Sequence, residues 1–291
     1  MTPESRQSGA SERVSIVTPF GIRFWDPALE SQVSDHLEVV AYPEHSTAQG
    51  TRAQPTASGV YAFHHLPGLT RVEYPHQVPS SPPVQRRFVV RVSDPRGRFL
   101  PLAFEEDLPL TGVYPSNLPC ASPSLRPPGF YLFSAPTREA PSSMAIVRTQ
   151  LETQVEQAET IGSAPAAFAV LEIAAPGGRT YFGLADRRGC TAVLFPYPSF
   201  VAPAGTDASP PPAVSRWPLV IRVRYRPASL RFPQAGPTPD LRSILCQGPA
   251  WFTYGNPPRT ELNAELVLGE ALVLQDRGAS SLRIAPAPGS P

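Results

Sequence analysis

Lysine is absent from this chain: all 25 basic residues are arginine. No Schiff-base lysine, phosphate-loop lysine or lysine–asparagine isopeptide staple can form. Cysteine is nearly as scarce. Cys120, Cys190 and Cys246 stand far apart without a Cys-x-x-Cys pair, which predicts neither a disulfide framework nor a zinc site. Among the histidines, His36, His45 and His76 have no set of Cys, Asp or Glu at metal-ligand spacing, although Glu44 precedes His45. No Gly-x-Ser-x-Gly elbow and no glycine-rich phosphate loop occurs. Long hydrophobic runs are missing: the most apolar window, 164–175, is too short to span a bilayer and carries Glu172. Residues 1–13 lack the apolar centre of a signal peptide and read as a mobile arm. Charge imbalance is missing as well, since 25 basic against 24 acidic residues leave a formal +1. Bulk charge therefore does not point to nucleic acid or an anionic membrane. These absences predict a non-catalytic protein with no cofactor, no metal, no nucleic-acid partner and no membrane insertion, cytoplasmic at synthesis.

Proline, in contrast, is abundant. The 39 prolines are more than twice the usual share of about 5%. A helix-interior proline costs about 3 kcal/mol, whereas strand starts, sheet edges and turns accept it. With 41% hydrophobic residues for a core, the composition predicts an all-β fold: two antiparallel β-sandwich modules, a C-terminal β extension and little helix. Two Asp-x-Arg-Gly stretches, Asp94–Gly97 and Asp186–Gly189, suit type I turns closing into bulged hairpins. A third copy is the shorter Asp276-Arg277-Gly278. In all of them the acid reads as a turn former, which removes Asp94 and Asp186 from any catalytic list.

The chain divides into the arm 1–13, a first module 14–110, a proline-rich linker or crossover 111–143, a second module 144–232 and the extension 233–291. The stretch from Leu108 to Pro128 alone holds six prolines. Phe88, Val90 and Val92 share one face of a strand, as do Tyr61 and Phe63. The polar stretch 149–162 reads as a solvated loop. Asp240–Cys246, with a capping Asp and Gly248 beyond it, predicts the one short helix.

Ser58-Gly-Val-Tyr-Ala-Phe-His-His-Leu-Pro-Gly68 resembles the Gly-x-Tyr-x-Phe-x-x-Leu-Pro-Gly signature of carboxypeptidase regulatory-like domains, which are transthyretin-like β-sandwiches. Pro165–Ile173 followed by Gly183–Gly189 is similar to a second signature of that family. The resemblance implies non-catalytic scaffold, spacer or docking modules. The chain as a whole also resembles β-sandwich proteins encoded with contractile phage-tail-like injection particles of bacteria. That likeness implies a structural or adaptor role among other protein subunits, with incorporation into a released particle.

The candidate docking residues are Arg222, Arg224 and Arg226, spaced two apart on a strand whose other face carries Ile221, Val223 and Tyr225. Three guanidinium groups in a row can pair with acidic protein surfaces, and an ordinary solvent face uses the same pattern. His64-His65 reads as a surface pair, because neighbours on a strand point to opposite faces. Glu105-Glu106-Asp107 reads as a solvated strand end. A second functional reading is a carbohydrate-binding or adhesion module, whose aromatic platform would come from Tyr197, Phe200, Trp217 and Trp251.

Overall fold

A computed structural model describes residues 16–44, 49–75, 84–110, 120, 128–157, 160–198, 215–233, 236–254 and 257–287. The expected arm, His45, His76 and Phe200 lie outside these residues. As the proline content requires, strands dominate, and the described helices are α1 (Thr70–Glu73), α2 (Leu241–Leu245) and a 3₁₀ turn at Pro227–Ser229.

The first half contains β1 (Phe20–Ile22), β2 (Phe24–Asp26), β3 (Ser31–Gln32), β4 (Glu38–Pro43), β5 (Thr51–Arg52), β6 (Gln54–Pro55), β7 (Tyr61–Phe63), β8 (Arg86–Ser93), β9 (Leu102–Leu108) and β10 (Phe130–Tyr131). They form an antiparallel sheet β5-β4-β8-β9 and two small sheets, β1-β7-β6 and β10-β2-β3. The alternation in β8 turns Phe88, Val90 and Val92 into the first core, where Tyr61 and Phe63 meet Phe20, Phe24 and Phe130. Phe20 stacks on Phe63 and Phe24 meets Tyr61 edge-on, each pair at 5.5 Å between ring centres.

The second half contains β11 (Met144–Gln157), β12 (Thr160–Pro165), β13 (Val170–Ala174), β14 (Thr180–Leu184), β15 (Cys190–Pro196), β16 (Arg216–Arg224), β17 (Ala250–Phe252), β18 (Leu262–Val267), β19 (Leu272–Leu274) and β20 (Leu282–Pro286). One sheet runs β14-β13-β16-β18. The other is organised on β11, which pairs with β15 and β12 in succession and with β19 and β20 in succession. Between the two sheets lies the second core, built from Val147, Leu151, Phe195, Leu171, Ile173, Trp217, Leu219 and Ile221. The described residues of 233–291 do not stand apart. They place α2 against β9 and supply β17 to β20 to the sheets of the second half.

Two expectations change. The described part of 149–162 is not a loop: residues 149–157 and 160–162 lie in the antiparallel pair β11 and β12, in register from Glu152↔Pro165 to Gln157↔Thr160. Thr149, Thr153, Val155, Thr160 and Ile161 supply the β-branched residues that favour an extended ladder despite the polar composition. Nor does every Asp turn close a hairpin. Asp94 lies between the paired β8 and β9, although residues 98–100 first pair with 133–135 before β9 begins. Asp186 instead leads from β14, a partner of β13, into β15, a partner of β11, so it carries the chain from one sheet to the other. Asp276 likewise links β19 to β20 along the same edge of β11.

The halves interlock. Val170, Leu184, Leu241 and Ile244 belong to the first core, while Ala28 covers Met144, Ile146, Ala192 and Leu194 on the outer face of β11 and β15. Beside this contact the nearly buried Arg138 pairs with Asp26, and its guanidinium lies 4.8 Å from the ring centre of Phe99.

Candidate functional site

Arg222 and Arg224 lie on β16, with Trp217, Leu219, Ile221 and Val223 buried on the opposite face, whereas Arg226 lies past the strand's end, just before the 3₁₀ turn. The register sets Glu172 of β13 directly across from Arg222. Arg224 takes Glu172 as its ion-pair partner, and Arg222 reaches Glu261 at 2.6 Å. The Arg224 guanidinium also donates to the carbonyls of Leu245 and Cys120, at 3.3 and 3.4 Å. The backbone N–H of Arg226 donates to Gln247 Oε1 at 2.8 Å. Arg222 and Arg224 thus line a cleft of about 250 Å³ together with Glu172, Gln247 and Glu261. Its charges alternate in sign and are paired within the chain, so it is a zwitterionic strip rather than a cationic row.

Gln247 carried no sequence signal, yet it holds this region together. Only 3% exposed, it accepts from Arg226 and donates to the carbonyls of Phe168 at 2.7 Å and Ile244 at 3.2 Å. Asp240 caps α2 by accepting from Ser243 N–H, as its position predicts, and also accepts from the N–H of Glu105 on β9.

The cysteines correct the sequence reading. Cys120 and Cys246 are joined, with Cα atoms 5.2 Å apart and a separation of 126 positions in sequence. That separation hid the pair, since no local spacing signals a bridge closed by tertiary folding. Cys190 is free; burial, then the charge of Asp186, pushes its thiol up from the ordinary value.

The histidine pair is also more than a surface pair. Glu73, 1% exposed, lies 2.9 Å from Nδ1 of His64, accepts from the N–H of His65 and approaches the ring of His65 at 3.6 Å. His65 has φ 58°, so the chain leaves the strand geometry that would have separated the two rings. Among the described residues, no group of three or more His, Cys, Asp or Glu is arranged to hold a metal ion.

The acids of β9 form part of a paired surface rather than a solvated end. Arg87 grips both oxygens of Asp107 at 3.0 Å, holding that carboxyl below its ordinary range, and Arg242 of α2 meets Glu106 at 2.6 Å. Of the platform aromatics, Phe200 lies outside the described residues and Trp251 is half-buried on β17. Trp217 is 7% exposed in the second core, and Tyr197 lies against it at 5.5 Å with its hydroxyl accepting from Gly269 N–H.

At Asp94 and Asp186 the local turn chemistry is the one the composition predicts, whichever strands the turn joins. Asp94 accepts from the N–H groups of Arg96 and Arg98 and from the Arg98 guanidinium, and Gly97 has φ 68°. Asp186 accepts from the N–H groups of Arg188 and Cys190, with Gly189 at φ 79°. A Cβ on Gly189 would come within 2.2 Å of the Leu151 carbonyl oxygen, so the residue must be glycine for two reasons.

No family model and no curated protein matches the chain. Among solved structures it is compared with a C-terminal fragment of the pilus adhesin SpaC from Lactobacillus rhamnosus GG at 7% identity and a TM-score of 0.20, covering 91% of this chain and 95% of that one. No described helix is long and apolar enough to cross a membrane.

Proposed function

We propose that this protein is a non-catalytic docking component of a larger protein assembly. The observation that carries the reading is the β11–β12 ribbon. β20 pairs with β11 only as far as Thr153, while β12 continues along the other edge to Gln157. Residues 154–157 and their β12 partners therefore run on as two strands, with no further ladder partner among the described residues. A two-stranded ribbon is marginally stable alone in water, and its unpaired N–H and C=O groups suit strand addition to a neighbour. From 152 to 163 the chain has Glu152, Glu156 and Glu159 and no basic residue, so a partner with a basic strand edge fits best. The resemblance to regulatory-like sandwich modules supports the same role, and a contractile phage-tail-like particle is the kind of assembly it suggests. The Cys120–Cys246 bridge favours oxidising surroundings for the mature protein.

Tagged protein is expected to co-sediment with megadalton particles from native lysate. Replacing residues 155–162 by a two-residue Asn-Gly turn is expected to abolish this at an unchanged melting temperature. Finding only free monomer, or undiminished co-sedimentation of the shortened variant, overturns the reading.

A further inference from the structure

A cleft of about 540 Å³ opens where three parts of the chain converge: Leu100 before β9, Leu184 and the Asp186 turn after β14, and Pro237 and Thr238 before α2. This volume lies within the range typical of small-molecule sites, and the lining is mostly apolar, as such sites are. One wall is Phe168, in the turn between β12 and β13. Phe168 has φ 62°, a left-handed conformation unfavourable for a bulky side chain. The surroundings hold it there: its N–H donates to the Ala185 carbonyl at 3.2 Å, and its carbonyl accepts from the buried Gln247. Phe232, 54% exposed, meets its ring edge-on. Backbone strain maintained by a buried clamp at the wall of a concave site is the pattern of a pre-organised binding residue.

The mouth is charged on one side. Arg187 and Arg188 are both exposed there. Asp186 is engaged in its own turn and lies 3.6 Å from the Arg188 guanidinium, and Arg187 has no polar partner among the described residues. One cationic group is therefore left in excess at the entrance to an apolar cavity. We propose that this cleft binds a small apolar carboxylate, its flat or hydrocarbon body against Phe168 and Leu100 and its carboxylate on Arg187 and Arg188. Guanidinium groups suit the bidentate geometry of that head group.

Titration calorimetry on the intact, oxidised protein tests this with 2-naphthoate and its cationic counterpart 2-naphthylmethylamine. Saturable one-to-one binding of the acid is expected, with the amine at least tenfold weaker. The double variant R187A/R188A, on the exposed turn, should lose at least tenfold in affinity for the acid while melting as the parent does. Thr238→Trp, which fills the cleft, should abolish binding. No saturable binding at millimolar acid, equal affinity for the amine, or undiminished binding by R187A/R188A overturns the proposal.

Discussion

At the residue scale, the carboxylates of the Asp turns hold their own backbone, and Asp94 shows how. Its side chain is fully buried beneath the turn, and burial by itself would raise its pKa. The Arg98 guanidinium and the N–H groups of Arg96 and Arg98 outweigh that, so the net shift is downward. A carboxyl whose pKa is lower in the folded than in the unfolded chain stabilises the fold above the unfolded value of about 3.9 and loses that contribution as pH falls through the folded value. Asp94→Ala is therefore expected to cost roughly 1.5–3 kcal/mol at pH 7, the usual worth of hydrogen bonds to a charged group. In urea denaturation the difference from the parent should shrink progressively below about pH 4. A difference that is constant from pH 7 to pH 3 would assign the effect to packing instead. The turn acids were legible because their role is local: an Asp, a Gly and the backbone between them suffice. Glu73 and Gln247 were not, because their partners come from other turns and strands.

At the element scale, α2 is too short to be stable by its own hydrogen bonds. It is held by the Asp240 cap, by the Arg242–Glu106 pair to β9 and by the bond from Cys246 to Cys120. A crosslink closing so long a stretch of chain restricts the unfolded ensemble, so its loss is expected to cost about 2–5 kcal/mol. Cys246→Ser should lower the melting temperature of the non-reduced protein to that of the reduced parent. Alkylation of the denatured, unreduced protein should modify Cys190 alone, and all three cysteines after reduction. Labelling of three cysteines before reduction would exclude the bond. The β11–β12 pair teaches the complementary lesson about elements. Its polar residues carry no apolar alternation, and only the ladder on β11 reveals that the segment is a strand.

At the scale of the whole molecule, residues of the second half complete the first core, so the two cores are expected to unfold as one unit. Leu241 and Ile244 of α2, with Val170 and Leu184, pack among Phe88, Phe104 and Leu108. Leu241→Ala is expected to cost about 2–5 kcal/mol by opening a cavity there. Calorimetry should show one cooperative transition displaced to lower temperature. Two separate transitions, only one of them moved, would mean that the halves unfold independently. The sequence by itself determined the class of fold, because proline content, period-two alternation and Asp–Gly turn chemistry act over a few residues and need no distant partner. It determined the buried face of β16 in the same way. Only the tertiary structure decided which strand each turn leads to, that Asp186 joins two sheets rather than two strands of one hairpin, that Arg222 and Arg224 are neutralised by Glu261 and Glu172, and that Cys120 meets Cys246. Each of these depends on contacts between segments tens of residues apart, set by how the sheets stack and twist, which no local pattern encodes.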